Sequence, residues 1–413
     1  MKKIYFISIF LILFSGTNFS HGKIGYNSGL DRTISFPDTE DYLTLSTDLH
    51  THSVFSDGHV WPNIRVAEAQ KDSIDVLAIT EHLEYQPHIN QIPHEDRNSS
   101  YVEAKKSASG SDLIVINGSE ITREMPPGHI NAVFVKDANK LHNMDPKLLP
   151  EAKELIEERA QGAELPEEEM RVIENYALGN LWPPLEALIE AKKQGAFVFW
   201  NHPMWGSQAP DGIARLDEMH KEFIEKGLLH GIEIVNTNTY SEEAFNIALE
   251  NNLALIGTSD VHNLIEWDYD VSNNEHRPIT LVFAKERNEE SIKEALFARR
   301  TVVVFKDKLM GKSENLIPLL ESIISVSSNG YTKGTQILKM EIKNNSSANM
   351  VLQNLSDVNF SNNDDLITIP KNGKINLQVK TLENLESLNF KFKVLNALTA
   401  PKENPIVEFR IKT

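Results

Sequence analysis

From Leu43 to Phe305 the chain alternates short, β-branched apolar runs with stretches whose apolar residues recur at helical spacing, and that rhythm admits few folds. The runs are Leu43–Leu49, Val76–Thr80, Leu113–Ile116, Ile130–Val135, Ala196–Trp200, Gly231–Val235, Leu253–Ile256, Ile279–Phe283 and Thr301–Phe305. Between them lie helix candidates such as Pro62–Ser73, Pro184–Gln194, Ser241–Asn251 and Asn288–Arg299. Strand, helix, strand in this order implies parallel pairing through right-handed crossovers. The chain is therefore expected to be α/β, with a closed or nearly closed β/α barrel over residues 43–311.

Three further segments flank or interrupt that rhythm. Lys2 and Lys3 precede the apolar run Ile4–Phe14, followed by small and polar residues to Ser20. The run is too short to span a bilayer, which takes about 20 residues in a helix. Residues 1–20 thus read as a signal peptide, and 21–42 as a linker. The implied location is periplasmic or secreted, and no cysteine follows the apolar run to carry a lipid anchor. Glu151–Asn180 holds nine Glu against three Lys or Arg, an acidic helical insertion read as a solvated hairpin or a lid. After Gly311 the composition shifts toward Asn, Ser and Lys with period-two alternation, so 312–413 is expected to be a small all-β, sandwich-like domain with a structural role, of which covering a barrel edge is one form. Asn372-Gly373 between alternating runs predicts a hairpin there.

Composition removes several function classes. Lys and Arg number 41 against 59 Asp and Glu, a net charge of −18, so the chain lacks the cationic surface that nucleic-acid backbones or anionic membranes require. No nucleic-acid partner and no stable membrane association are expected; nothing in the sequence points to a protein partner. The absence of cysteine excludes thiolate nucleophiles and Cys-type metal sites, leaving imidazole and carboxylate as the donors for any ion.

Those donors sit where a barrel would gather them. Leu43–Leu49 ends in His50-Thr51-His52, Val76–Thr80 in Glu81-His82, and Ala196–Trp200 in Asn201-His202; Leu113–Ile116 leads to Glu120, and Leu253–Ile256 to Asp260-Val261-His262. In a parallel barrel the strand ends share one mouth. Residues i and i+2 of a strand point the same way, so each His-x-His or Asp-x-His pair aims two donors at one pocket. Asp57, in the turn sequence Ser56-Asp57-Gly58, can fold back over the strand end. His129 opens its run instead of closing one, which makes it the least expected member of the set.

His50-Thr51-His52 with Ser56-Asp57-Gly58, then Thr80-Glu81-His82, Gly118-Ser119-Glu120, Gly128-His129, Asn201-His202-Pro203 and Thr258-Ser259-Asp260-Val261-His262 resemble, in order, the successive motifs of the PHP (polymerase and histidinol phosphatase) family of metallophosphoesterases. The resemblance spans roughly residues 44–305. It implies a distorted (β/α)7-type barrel binding two or three divalent ions. It makes His50, His52, Asp57, His82, Glu120, His129, His202, Asp260 and His262 metal ligands. Glu120 would bridge two ions, one also held by His50, His52 and Asp260 and the next by His129 and His202; Asp57, His82 and His262 would hold a third. Glu81 stands where the family more often has Asp.

Six imidazoles and three carboxylates suit zinc, manganese or iron(II) better than magnesium. The expected activity is hydrolysis of a small anionic phosphate mono- or diester by a metal-bridging hydroxide, with Glu120 and Asp260 at the reacting centre. Arg123 and Arg277 are candidates for phosphate contact and His88 for protonating a leaving group, while Trp61, Trp205 and Trp267 follow ligand motifs closely enough to wall the pocket. The alternatives are an amidohydrolase-like hydrolase of C–N or carboxylic ester bonds, which normally has a metal-bridging lysine at a strand end that no run here supplies, and a non-catalytic metal-binding envelope protein.

Overall fold

The computed structural model describes residues 32–92, 95–143, 145–160, 165–273 and 275–413; the leader expected over 1–20 and the linker as far as residue 31 lie outside the described residues. Each apolar run forms a strand: β1 (Leu43–Asp48), β2 (Val76–Ile79), β3 (Ile114–Ile121), β4 (Ile130–Val133), β5 (Phe197–Trp200), β6 (Gly231–Asn236), a short β7 (Thr239–Tyr240), β8 (Ala254–Thr258), β9 (Ile279–Ala284), β10 (Thr301–Phe305) and β11 (Lys308–Gly311). Apart from the short β7, these strands are buried along nearly their whole length, as covering on both faces requires. Amphipathic helices cover them. Ser241 and Asn288 cap Glu242–Glu250 and Glu289–Phe297 by accepting from Ala244 N and Ser291 N.

The strands run β11-β10-β9-β1-β2-β3-β4-β5-β6, with β7 and β8 both on β6. The all-parallel expectation is corrected here. β1–β2, β2–β3, β5–β6 and β6–β8 are parallel, whereas β4 is antiparallel to both neighbours and β9 is antiparallel to both β1 and β10. The chain between Ile121 and Ile130 is too short for a crossover, so β4 folds straight back on β3. The curled sheet then meets itself. Asp260 N donates to His50 O at 3.0 Å and His52 N to Val261 O at 3.1 Å, while Thr280 Oγ accepts from Gly257 N and donates to Gly257 O, each at 2.9 Å. A Cβ on Gly257 would lie 2.3 Å from Val303 Cγ1, so only glycine lets β8 approach β10 at this seam. The result is a distorted barrel with its own interior layer, including Leu45, Leu49, Ile116, Phe197 and Ile256.

The C-terminal part opens with a helix, Ser313–Ile323, rather than a strand. Nine strands follow, β12 (Ile324–Tyr331), β13 (Ile337–Asn344), β14 (Met350–Asn354), β15 (Asn359–Phe360), β16 (Leu366–Ile369), β17 (Lys374–Lys380), β18 (Ser387–Val394), β19 (Ala397–Leu398) and β20 (Ile406–Lys412). They form two four-stranded sheets, β12-β13-β17-β15 and β16-β14-β18-β20, while β19 leaves the sandwich and pairs with β11 at the barrel sheet's edge. The hairpin expected at Asn372-Gly373 is instead a corner: β16 pairs with β14 and β17 with β13, so the turn carries the chain from one sheet to the other. One apolar layer runs from the barrel's outer face through Leu316, Leu319 and Leu320 into the sandwich interior at Leu338, Phe390 and Phe392.

Residues 32–42 lie along this junction. Arg32 pairs with Asp72, Ile34 is buried, and Ser35 bonds Ser347 of the sandwich. The acidic insertion forms the helices Leu149–Ala160 and Met170–Asn180 around a small core of Ala152, Ile156, Ala177 and Leu178. It packs on the barrel mouth, where Tyr176 meets Tyr85 edge-on at 6.0 Å.

Candidate metal centre

Five strand ends deliver the sequence-predicted residues to one place. β1 continues into His50-Thr51-His52, and an isolated bridge aligns His82 beside Glu120, which lies inside β3. Reversal of β4 puts its beginning at the mouth, and this is why His129, which opens its run, belongs with residues that close theirs. His202 and Asp260 sit at φ +28° and +48°, a left-handed conformation that costs a non-glycine residue about 1–3 kcal/mol and persists where the surroundings over-determine it. Gly58 is needed to fold Asp57 back, since a Cβ there would lie 2.8 Å from the backbone of His52 and Ser53.

All nine candidate ligands converge. Glu120 lies 3.1 Å from His129 Nδ1, 3.3 Å from His202 Nε2, 3.5 Å from His50 Nε2, 3.6 Å from His52 Nε2 and 2.7 Å from His82 Nδ1. Asp260 is 3.2 Å from His50 Nε2 and 3.1 Å from His52 Nε2. Asp57 is 3.1 Å from His262 Nε2 and 3.4 Å from His82 Nε2. Three overlapping groups of donors are close enough to hold an ion: His52-Asp57-His82-His262, His50-His52-Glu120 and His82-Glu120-His129. A cavity of about 290 Å³ opens onto them, bordered by Trp205, Asn236 and Thr237.

The hydrogen bonds behind the rings test whether cations fit. His50 Nδ1 donates to Glu233 at 2.9 Å and His262 Nδ1 to the Asp260 carbonyl at 2.8 Å. His82 Nδ1 donates to Thr122 Oγ1 at 2.6 Å, and His52 Nδ1 to Ser56 Oγ at 3.2 Å, a hydroxyl whose own proton goes to Glu81. Each neutral ring so held turns the Nε2 lone pair inward. His50 Nε2 and His52 Nε2 then face each other at 3.0 Å, and Asp57 Oδ1 is buried without a hydrogen-bond donor among the described residues. Lone pair facing lone pair is repulsive unless a positive charge lies between, so the donor set fits divalent ions.

Protons take that role in the metal-free protein. Burial alone would depress the imidazolium of His50, but Asp260, Glu233 and Glu120 outweigh it and raise His50 well above the usual histidine range. His82 is raised likewise against burial by Glu120 and Asp57, and His262 is pushed up to about 9 by Asp57 and Asp260. His52, buried and next to His262 and His82, is pushed down to about 3. Glu120 and Asp260, though buried, are held well below the usual carboxylate range by the surrounding histidines. Cation binding must therefore displace protons.

Three candidates fall outside this cluster. Arg277 is fully buried on Asp48 at 3.1 Å and Asp72 at 2.7 Å, and cannot reach a ligand in the cavity. Arg123 is buried against Glu84 and bonds the Thr122 and Trp182 carbonyls. His88 occupies a turn in which its carbonyl accepts from Gln91 N and Ile92 N, and it is not among the residues bordering the cavity. Of the tryptophans Trp205 borders it, with His202 and His129 at 5.3 and 5.6 Å; Trp61 packs on Phe55, and Trp267 is 70 % exposed.

Sequence reasoning missed the residues behind the ligands. Glu233 and Asp48 are fully buried within β6 and β1, and Asn201 Nδ2 donates to Glu120 at 2.7 Å. Arg65 reaches the carbonyls of His52 and His262, and Glu81 grips Ser53 and Ser56 of the Asp57 turn. The available signal was an acid inside an otherwise apolar run, as in Gly231-Ile232-Glu233-Ile234-Val235.

Among solved structures, a two-domain protein of Bacteroides vulgatus, described as containing a predicted PHP-like metal-dependent phosphoesterase, is 34% identical to this chain; the match covers 92% of this chain and 98% of that one, with a TM-score of 0.76. This chain belongs to the PHP-like metal-dependent phosphoesterase family. Its C-terminal residues 324–410 match a family described as an Ig-like domain, in keeping with the two sheets there. Two shorter likenesses are a Bifidobacterium adolescentis protein named for metal-dependent phosphoesterase activity, at 19% identity over 54% of this chain and 89% of that one (TM-score 0.39), and an amidohydrolase from Chromobacterium violaceum, at 18% over 53% and 88% (TM-score 0.38). No curated protein matches the chain. The Bacteroides relative is described as a two-domain protein, and this PHP-like protein joins its barrel to a second, β-rich part.

Proposed function

We propose that this PHP-like protein hydrolyses a small phosphate mono- or diester at the barrel mouth, with two or three zinc, manganese or iron(II) ions on the nine converging ligands. The observation that carries this reading is the inward turning of the His50, His52, His82 and His262 lone pairs onto Glu120, Asp260 and Asp57. When bound, such ions activate a water and neutralise charge on the phosphoryl oxygens. The protein's own part is to hold Glu120 centrally among five imidazoles and to keep Asp260 ionised beside His50 and His52. A cavity of about 290 Å³ limits the ester to a small one, and the Trp205 ring offers an apolar wall for its organic group. Positive charge confined to this pocket would recruit an anion to an otherwise acidic protein. The signal-like residues 1–20 support export, and among the described residues no helix is long and apolar enough to cross a membrane.

The test is a screen of p-nitrophenyl phosphate, bis-p-nitrophenyl phosphate and p-nitrophenyl acetate with zinc, manganese and iron(II) supplied in turn. Metal-dependent turnover of either phosphate ester is expected. Turnover of the acetate alone would favour the amidohydrolase-like alternative, and metal binding with no turnover of any ester would favour the non-catalytic one.

A further inference from the structure

Glu233 sits on β6, contributes nothing to the list of ligands, and is fully buried. Its carboxylate nevertheless touches three of the segments that carry them. Oε1 accepts from His50 Nδ1 at 2.9 Å and from Thr258 Oγ1 at 2.6 Å; Oε2 accepts from the backbone N–H of His202 at 2.7 Å and from Asn236 Nδ2 at 2.9 Å. The same Asn236 Nδ2 reaches Asp260 Oδ2 at 3.2 Å.

Four donors converge on two oxygens, and among the described residues no acceptor faces them. An ionised carboxylate is the side chain of this size that accepts everywhere and donates nowhere. A glutamine would turn an NH₂ toward either His50 Nδ1 and the Thr258 hydroxyl or the His202 N–H and the Asn236 amide, leaving at least one N–H, that of His50 or of His202, without an acceptor in a site closed to water. The bond to His202 N is also made where that residue's backbone is left-handed, so Glu233 helps hold a conformation the chain would otherwise leave.

We infer that Glu233 is a positioning residue that sets the His50 tautomer and the His202 backbone with a single carboxylate, and so ties the ion position of His50, His52 and Asp260 to that of His129 and His202. This rests on the proposed metal occupancy. Loss of the carboxylate should weaken both positions together, while the group formed by Asp57, His82 and His262, which Glu233 does not touch, keeps its affinity.

The experiment titrates zinc alone, in competition with a chromogenic chelator, into metal-free wild-type protein and Glu233→Gln. The expected result is a loss of about 10- to 100-fold in affinity, the range seen when an outer partner of a metal-binding histidine is removed, falling on two equivalents and sparing a third. Glu233→Asp, which remains acceptor-only, should recover part of that loss. Wild-type protein that takes up zinc alongside Glu233→Gln protein that titrates identically would overturn the assignment of Glu233 alone. Wild-type protein that takes up no zinc would overturn the metal-site reading and this inference with it. Far-ultraviolet circular dichroism of the metal-free variant checks the fold. If it is lost, Thr258→Val, which removes one donor and leaves the carboxylate, carries the test: a loss of about threefold to tenfold is expected from one buried hydrogen bond, and none would refute the inference.

Discussion

Arg277 offers the sharpest test of reading roles from burial. It lies at zero exposure between Asp48 and Asp72, and Asp48 in turn accepts from Ser259 N at 3.2 Å and Ser259 Oγ at 2.6 Å, next to Asp260. Burial would depress the guanidinium, but Asp72 and Asp48 outweigh it and keep it charged. Arg277→Met fills similar volume and strands Asp48, whereas Asp72 retains Arg32. Removing one partner of a buried ion pair costs about 3–5 kcal/mol, because the remaining charge is left uncompensated. With an unfolding entropy of about 2 cal/mol/K per residue over roughly 380 residues, a loss of about 4 kcal/mol lowers the midpoint by roughly 5 °C. Thermal and urea unfolding followed by circular dichroism measure this, with steady-state kinetics on the folded protein beside them. A clear loss of stability and an unchanged KM are expected. A variant with the wild-type midpoint and a KM raised tenfold would show that the guanidinium reaches the substrate and that the burial argument is wrong.

Other expectations follow from the same geometry. His50→Ala and Asp260→Ala should each hold fewer metal equivalents by elemental analysis and lose at least about 100-fold in kcat/KM; wild-type stoichiometry in both would contradict the ligand assignment. Removing metal with a chelator should lower the thermal midpoint, and zinc or manganese at 100 times its Kd should restore about 2.7 kcal/mol; calorimetry with and without metal decides. Trp205→Ala should raise KM for an aryl phosphate about threefold to tenfold while sparing kcat, because the ring borders the cavity beside His129 and His202 and is not itself a ligand; an equal fall in kcat would place the ring in the chemistry. His230 is pushed down to about 4 mainly by burial, aided by Lys192 and Arg299, so the folded protein resists its protonation. The corresponding stability is fully present above pH 6.5 and is lost as the pH falls toward 4. His230→Asn, which keeps an acceptor for Val198 N, should flatten that acid limb in a series of thermal melts.

Much of this was legible because strand ends and metal donors carry strong local signals. His50, His52, His82, Glu120, His202, Asp260 and His262 each close or follow an apolar run, and the structure brings them together with Asp57. The direction of each strand was not legible. Periodicity reports burial and not polarity of the chain, so the reversal of β4 and β9 escaped, and with it the reason His129 lies at the mouth. Arg123 and Arg277 are candidates for phosphate contact because a positive charge near ligand motifs suits phosphate; their acidic partners Glu84, Asp48 and Asp72 come from distant positions that only the fold assembles. Asn372-Gly373 has the turn chemistry of a hairpin, but which sheet receives the next strand depends on pairing far along the chain.

The two-residue strand Ala397–Leu398 has a consequence out of proportion to its length. It saturates the outer rim of the barrel's sheet at Leu309 and Met310, while the helix Ser313–Ile323 seals the apolar skin beside it. A chain ending near Gly311 would bare both, and its raw backbone rim would be a template for another molecule's. Barrel and appendage must therefore be inherited, expressed and engineered as one object.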